Sequence, residues 1–197
     1  MTDDVSLSFT ATLLVNGFPL IILRQATDQP ILVPHPDSSL GTLDVSSSLG
    51  VLSTPDDAWD NAREEKLVDF HVTGETTATE FYFRHGSEGY YMYVRDGSHA
   101  GQHIRKSKYG VAMAHSETDG APSAWLIHHD HTGKQITLED LATSFAIINL
   151  ACPHTGICLA NELIAQGEGA YLATRRSSPK AKLRLNILRR GVDWSRR

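Results

Sequence analysis

The sequence contains little cysteine and no long apolar run. Cys152 and Cys158 are its two cysteines, too few for the disulfide framework of a small secreted domain. We expect free thiols and keep a disulfide between them as the alternative. No stretch of about 18 apolar residues occurs, so no membrane-spanning helix is expected. The acidic start, MTDDVSLSF, lacks the basic and apolar regions of a secretory signal. We therefore expect synthesis in the cytoplasm, with release by a non-classical route left open.

Motifs of the common enzyme classes are also missing. There is no Walker A sequence, no G-x-S-x-G and no H-E-x-x-H, and GEGAYL has Leu172 where a dinucleotide-binding fingerprint needs its third glycine. Nothing in the pattern brings a base, a nucleophile and an oxyanion donor together, although a dyad of Cys158 with a histidine is kept as an alternative. We therefore expect a protein that is not an enzyme, with no catalytic residues and no cofactor.

Basic residues are scarce in the first part of the chain and concentrated in the last. Residues 1–80 carry 13 acidic and 3 basic side chains, whereas residues 175–197 carry 9 basic side chains and one acidic side chain. Such asymmetry is typical of an anion-binding surface or a basic tail. The alternative is that the two sets face one another across the folded chain or lie on a solvated strand face.

Three similar segments recur along the chain. GVLST at 50–54, GVAMAH at 110–115 and GAYLAT at 169–174 begin 60 and 59 positions apart, and Phe9, Phe81 and Phe145 are the anchors that precede them. Each copy contains four short runs rich in β-branched or aromatic residues and bounded by Gly, Pro, Asp and Ser, a composition typical of strands and turns. The pattern predicts twelve strands.

Some of these runs also indicate which residues face the core. FTATLLV and LRLNIL show partial alternation, as expected where one strand face meets the core. The fourth run is 67–72 in the first copy. In the second copy the fourth run begins at AWLIHH, and we expect its Trp125 to be buried.

Helix-like patterns are few. The better one is TLEDLATSF, where Thr137 can cap and Asp140 follows three residues later, as in a capping box. DDAWDNAREEKLV is a second and weaker helical pattern. We expect at most one or two short helical turns.

Twelve short strands in three units resemble the β-trefoil superfamily, which includes ricin-B-like lectins, fungal trefoil inhibitors and trefoil toxin-like proteins. The resemblance implies an all-β β-trefoil with a single domain over residues 1–197. Its repeats would cover about 7–73, 79–131 and 143–190, with a basic tail at 191–197. The Q-x-W signature of the lectin group is absent. The alternative is two domains divided near Gly74, with an immunoglobulin-like sandwich in either half.

The resemblance implies recognition rather than catalysis. The first expectation is lectin-like binding of carbohydrate, with a glycan or glycoprotein on a cell surface as the partner. The second is a protease inhibitor, or another protein-binding role, that uses the Pro-rich insertion at 25–48. The third is a toxin-like or insecticidal protein that engages a cell-surface receptor. We expect no nucleic-acid partner, and the sequence leaves the oligomeric state open.

Two segments supply candidate ligand-binding residues. In YYMYVRDGSHAGQH, alternation places Tyr91 and Tyr93 on one strand face and Tyr90 and Met92 on the other. A sugar site needs an apolar platform with a few fixed polar groups, and the polar candidates that follow are Asp96, His99 and Gln102. The alternative is that the tyrosines cap the hairpin. In TRRSSPKAKLR, the residues expected to bind sulfate or phosphate are Arg175, Arg176, Lys180, Lys182 and Arg184.

A cluster of histidines, HHDH at 128–131, offers ligand types that zinc accepts. Alternation would let His129 and His131 converge while His128 points away. The spacing fits no zinc motif, so we expect solvated histidines and no metal site.

Overall fold

A computed structural model describes residues 4–74, 76–165, 167, 169–176 and 178–194, and the structural statements below refer to these residues. Sixteen strands, one α-helix and six 3-10 turns are present among them. The strands are β1 (Phe9–Val15), β2 (Phe18–Pro19), β3 (Ile21–Ile22), β4 (Leu32–Pro34), β5 (Thr42–Asp44), β6 (Leu49–Leu52), β7 (Phe81–Gly86), β8 (Gly89–Val94), β9 (His103–Lys106), β10 (Ala112–His115), β11 (Ala124–His129), β12 (Gln135–Ile136), β13 (Phe145–Ala151), β14 (Leu159–Ile164), β15 (Gly169–Thr174) and β16 (Leu183–Arg190). The helix is α1 (Asp57–Glu64), and the 3-10 turns are Val5–Leu7, Leu23–Gln25, Ser38–Leu40, Gly97–His99, Glu117–Asp119 and Leu138–Asp140.

Six strands close into an antiparallel barrel. Their order is β1–β7–β8–β11–β13–β16, and β16 pairs with β1 to complete the ring. Closure leaves none of these six strands with an unpaired edge. Alternating residues of each strand fill the interior, where the rings of Phe9 and Phe83 stack with centroids 4.7 Å apart. Trp125 is fully buried in the same core, as the sequence predicts.

The other strands extend or flank the barrel. β9 and β10 continue the barrel sheet beyond β8, while β12 and β2 pair with β11 and β1. Strands β14, β15, β6 and β3 form a separate four-stranded sheet, and β4 pairs with β5 as a hairpin. This second region has its own core, in which Trp59 of α1 packs against Phe70 with ring centroids 5.3 Å apart.

The prediction of a twelve-strand β-trefoil in three repeats is wrong. The chain is all-β, with a closed six-strand barrel and extra strands, and it has more helical segments than expected. The first copy departs furthest, because its fourth run, 67–72, forms no strand and makes one isolated bridge, between Val72 and Thr27. Its apolar side chains, Val68 and Phe70, pack instead with α1 in the second core. A single domain over 1–197 stays a prediction.

The glycines that suggested a repeat serve different purposes. A side chain on Gly50 would place its Cβ 2.5 Å from the backbone oxygen of Ala170, because β6 and β15 approach closely. Gly169, on the other strand of that pair, is equally crowded, with Leu52 2.6 Å from the Cβ position. Gly110 instead adopts a φ of +81°, in the turn before β10. Similar sequence segments therefore mark different local structures.

Replacing Gly50 with alanine should lower the free energy of unfolding by about 1–3 kcal/mol, because the new methyl group meets backbone that cannot move aside. Gly86→Ala is the matched control, since its Cβ would meet only the ring edge of Tyr91, at 2.7 Å. Urea denaturation measures both variants. Equal losses of stability would contradict the close approach of β6 and β15.

Candidate functional site

An open groove with a volume of about 840 Å³ lies on the outer wall of the barrel. It crosses β1, β16 and β13 and reaches the end of β11. Its lining residues are Leu14, Asn16, Gly17, His129, Asp130, His131, Asp140, Leu141, Ala142, Thr143, Phe145, Ala146, Ile147, Lys182 and Arg184. The groove combines an apolar floor with polar groups at its margins.

Strand register sets the floor of the groove. Arg184 of β16 lies directly between Leu14 of β1 and Ile147 of β13. Its chain neighbours Leu183 and Leu185 are buried in the barrel core, so alternation turns Arg184 outward. Phe145 lies two residues before Ile147 on β13, so alternation turns its side chain outward as well.

Phe145 provides an exposed aromatic ring in this groove. Its exposed fraction is 53%, unusual for a phenylalanine on a barrel wall. The guanidinium carbon of Arg184 lies 5.4 Å from the ring centre, in a cation–π contact. The guanidinium therefore lies over part of the ring, and more than half of the residue's surface stays exposed.

Asp130 provides a carboxylate whose position is fixed. Its Oδ1 accepts a hydrogen bond of 3.1 Å from Nδ2 of Asn149, a side chain that is 1% exposed. The same amide nitrogen donates to the backbone oxygen of Ala181 at 3.0 Å, which holds Asn149 in place. Nζ of Lys182 lies 3.5 Å from the other carboxylate oxygen. The acceptor is thus positioned by the protein itself.

The histidine cluster lies partly in the groove. His129 and His131 line it together with Asp130, whereas His128 does not. Burial, with Lys180 nearby, lowers the pKa of His128. Within the described part of the chain, no group of three or more His, Cys, Asp or Glu side chains is arranged to hold a metal ion.

The tyrosines of the predicted sugar site lie on two different faces of β8. Tyr90 and Met92 belong to the barrel core, whereas Tyr91 and Tyr93 face away from it, as alternation predicts. Tyr91 is nevertheless buried, with an exposed fraction of 7%, and the guanidinium of Arg84 lies over both outward rings, 5.4 and 5.2 Å from their centres. These tyrosines therefore do not form an open platform.

The polar residues of that segment differ in their burial and surroundings. His99 is buried and burial lowers its pKa, while Gln102 is half-buried. Asp96 lines a cavity of about 380 Å³ whose other residues are Gln25, Thr73, Thr76, Thr77, Thr79, Gly97 and Ser98. Burial raises the pKa of the Asp96 carboxyl. This second cavity is polar and has no aromatic ring among its lining residues in the described ranges.

The five basic residues predicted to bind sulfate or phosphate line two different cavities. Lys182 and Arg184 line the groove, whereas Arg175, Arg176 and Lys180 line a separate cavity of about 360 Å³ next to Cys158. Arg175 is already engaged inside the protein. It donates to the backbone oxygen of Tyr109 at 2.7 Å, and its Nε lies 3.9 Å from a carboxylate oxygen of Glu162. Arg176 and Lys180 are exposed.

A row of rings outside the barrel core was missed by the sequence analysis. Tyr82, Tyr93, His103 and His115 lie directly opposite one another on β7, β8, β9 and β10. Trp194 stacks on Tyr82 with centroids 5.2 Å apart. Strand β9 was not predicted, because its sequence, HIRK, carries two charged residues. The position of His103 between Tyr93 and His115 was therefore not evident from the sequence.

His103 is the most deeply placed histidine of that row, with an exposed fraction of 2%. Burial lowers its pKa, and the nearby His115 and Arg105 lower it further, against smaller opposing effects of Asp119 and Glu117. Nε2 of His103 and Nε2 of His115 are buried without a hydrogen-bond partner in the described ranges.

The Pro-rich insertion is anchored to the protein. Ile31, Val33 and Val45 are buried in the second core, and the ring of His35 lies 4.3 Å from that of Tyr109. Its tip is a 3-10 turn in which Leu40 is 55% exposed, and Leu32 of β4 is 51% exposed. The exposed leucines of the insertion therefore lie on a helical turn and on a strand.

Cys152 and Cys158 are both free and buried, as expected. Nζ of Lys106 lies 3.4 Å from Sγ of Cys152. Burial opposes ionisation of this thiol, but hydrogen bonds from Thr155, the backbone of His154 and Lys106 outweigh it and lower the pKa of Cys152.

No protein-family model, curated protein or solved structure matches this chain. Function must therefore be inferred from the geometry of the chain's own residues. No helix in the described ranges is long and apolar enough to cross a membrane.

Proposed function

We propose that the chain is a non-enzymatic recognition module that binds carbohydrate in the groove, with a glycan or glycoprotein on a cell surface as its partner. The observation that carries the proposal is the exposed ring of Phe145 on the same groove floor as the fixed carboxylate of Asp130. A sugar ring has an apolar C–H face and a rim of hydroxyl groups. It therefore needs an aromatic surface together with hydrogen-bond acceptors and donors at fixed positions.

The remaining groove residues suit the same ligand. Leu14 and Ile147 extend the apolar floor, and Asn16 and Thr143 add neutral polar side chains. The volume of about 840 Å³ lies within the usual range of small-ligand sites, about 300–1,000 Å³. Because Asp130 is held by Asn149 before any ligand arrives, binding does not have to order it.

The groove carboxylates favour binding over hydrolysis. A glycosidase needs a carboxyl group with a raised pKa as its general acid. Asp140 has the opposite property, because hydrogen bonds from Thr137 lower its pKa. Asp130 is engaged by Asn149 and Lys182. These features support a binding site without catalysis.

Replacing Phe145 with alanine should weaken sugar binding roughly tenfold or more, the factor that corresponds to about 1.4 kcal/mol, because the sugar loses its stacking surface. The measurement is a glycan-array screen of the full chain, followed by calorimetric titration of the strongest ligand. Leu188→Ala is the matched control, since Leu188 is 51% exposed on β16 but does not line the groove.

Two results would count against the proposal. One is an array on which no glycan binds the folded wild-type chain. The other is a ligand whose affinity falls as much with Leu188→Ala as with Phe145→Ala, because the aromatic ring of the groove would then have no particular role.

A second candidate function is protein binding, including protease inhibition, through the insertion at 25–48. The observation in its favour is the exposed Leu40 at the tip. A Leu40→Asp variant tests it better than a deletion, which would also remove the buried Ile31, Val33 and Val45. The role is supported if the wild-type chain inhibits a protease of a test panel and the Leu40→Asp variant does not. It is contradicted if the wild-type chain inhibits no protease of the panel. No feature of the described residues specifically supports the toxin-like alternative.

A further inference from the structure

We infer that the sugar bound in the groove carries a negatively charged substituent, a carboxylate or a sulfate ester, and that Arg184 binds this group. The inference rests on the proposed carbohydrate site and names the class of sugar that it takes. It depends on the charge, the neighbours and the position of one guanidinium.

Arg184 is the cation of the groove that the protein leaves without a counter-ion. Charged side chains on adjacent antiparallel strands are stabilised by an opposite charge directly across, yet the cross-strand neighbours of Arg184 are Leu14 and Ile147. Among the described residues it makes no ion pair, and its guanidinium lies over the ring of Phe145. Lys182, two residues earlier, is different, because it pairs with Asp130 at 3.5 Å.

Arg184 is accessible to an anion from solvent. It is exposed on β16, with the apolar residues Leu14 and Ile147 on either side. Its guanidinium carbon lies 5.4 Å from the ring centre of Phe145. A guanidinium is planar and can donate two parallel hydrogen bonds to the oxygens of a carboxylate or a sulfate.

The layout of the groove gives the charged group one place to lie. Ile147 separates Arg184 from Asp130, whose backbone nitrogen donates to the oxygen of Ile147 at 3.0 Å. Asp130 would repel an acidic substituent but accept hydrogen bonds from hydroxyl groups. The sugar should therefore stack on Phe145 with its charged substituent toward β16 and its hydroxyl groups toward Asp130.

Matched pairs of oligosaccharides test this inference. One pair differs by a glucuronic acid in place of a glucose, and a second pair by a sulfate ester on one galactose. Calorimetric titration at low and high salt would measure wild-type chain and the variants Arg184→Ala, Arg184→Lys and Arg189→Ala. Arg189 is the matched control because it is exposed on the same strand but does not line the groove.

The wild-type chain should bind at least one acidic member about tenfold or more tightly than its neutral counterpart, the scale of a charge-assisted hydrogen-bonded pair. Salt should reduce that preference. Arg184→Ala should abolish the preference, Arg184→Lys should retain part of it, and Arg189→Ala should keep it. The pair that shows the preference distinguishes carboxylate from sulfate.

Failure of this inference differs from failure of the proposed function. If the wild-type chain binds both members of each pair equally, or if the preference survives in Arg184→Ala, the inference is overturned. The carbohydrate site itself still stands in that case, provided that Phe145→Ala weakens binding of the neutral sugars. If neither neutral nor acidic sugars bind, both proposals fail.

Discussion

Replacing Asn149 with alanine should lower the free energy of unfolding by about 2–4 kcal/mol, because it removes one buried and one partly buried hydrogen bond and leaves a cavity. The side chain is 1% exposed, and its amide bridges Asp130 and the backbone oxygen of Ala181. After the substitution, that oxygen would be without its partner. The measurement is urea denaturation of both proteins, followed by circular dichroism.

The same substitution should weaken sugar binding under conditions where the variant is still folded, because Asp130 would no longer be held in place. Asn61→Ala is the matched control for stability, since Asn61 is exposed on α1 and lies far along the chain from the groove. We expect a change of less than about 0.5 kcal/mol there. An Asn149→Ala protein as stable as Asn61→Ala would contradict the role assigned to this amide.

Lowering the pH from 7 to 5 should reduce the thermal stability of the chain, and His103 should contribute to the loss. Burial lowers the pKa of His103 in the folded state, whereas an exposed histidine in the unfolded chain titrates near about 6.5. As the pH falls below that value, the unfolded chain takes up a proton that the folded chain does not. Folding is then disfavoured, and the loss grows until the pH reaches the lower folded-state pKa.

The variant His103→Leu should flatten this pH dependence because it removes the group that titrates. His99 and His128 also have pKa values lowered by burial, so part of the slope should persist. His131→Leu is the control, because it also replaces a histidine with leucine but at an exposed position. Differential scanning calorimetry at several pH values provides the measurement. A wild-type melting temperature that stays constant from pH 7 to pH 5 would refute the assignment.

Local sequence pattern predicted individual strands. FTATLLV and LRLNIL alternate in hydrophobicity, and both lie in barrel strands whose buried apolar residues face the core. The repeat was misleading because similar short segments were taken as equivalent. Gly50 and Gly110 occupy similar sequence contexts, but one allows two strands to approach and the other adopts a positive φ. Such differences depend on contacts between distant segments, which a local pattern does not contain.

The candidate site was only partly visible in the sequence. Arg184, Lys182 and the HHDH segment were singled out, and the groove contains residues from each. Phe145 was treated as equivalent to Phe9 and Phe81, yet those two are fully buried while Phe145 is 53% exposed. The difference arises from the register that places Leu14, Arg184 and Ile147 side by side. Positions 14 and 184 lie at opposite ends of the chain, so neither spacing nor composition indicates their contact.

The most direct test of the carbohydrate site is a nuclear magnetic resonance titration of labelled chain with the strongest ligand from the glycan array. The account predicts that the largest shifts of backbone amides occur at Asp130, Phe145, Ile147 and Arg184, around the groove floor. Shifts concentrated instead at the polar cavity near Asp96, or at Arg176 and Lys180, with those groove amides unchanged, would contradict it.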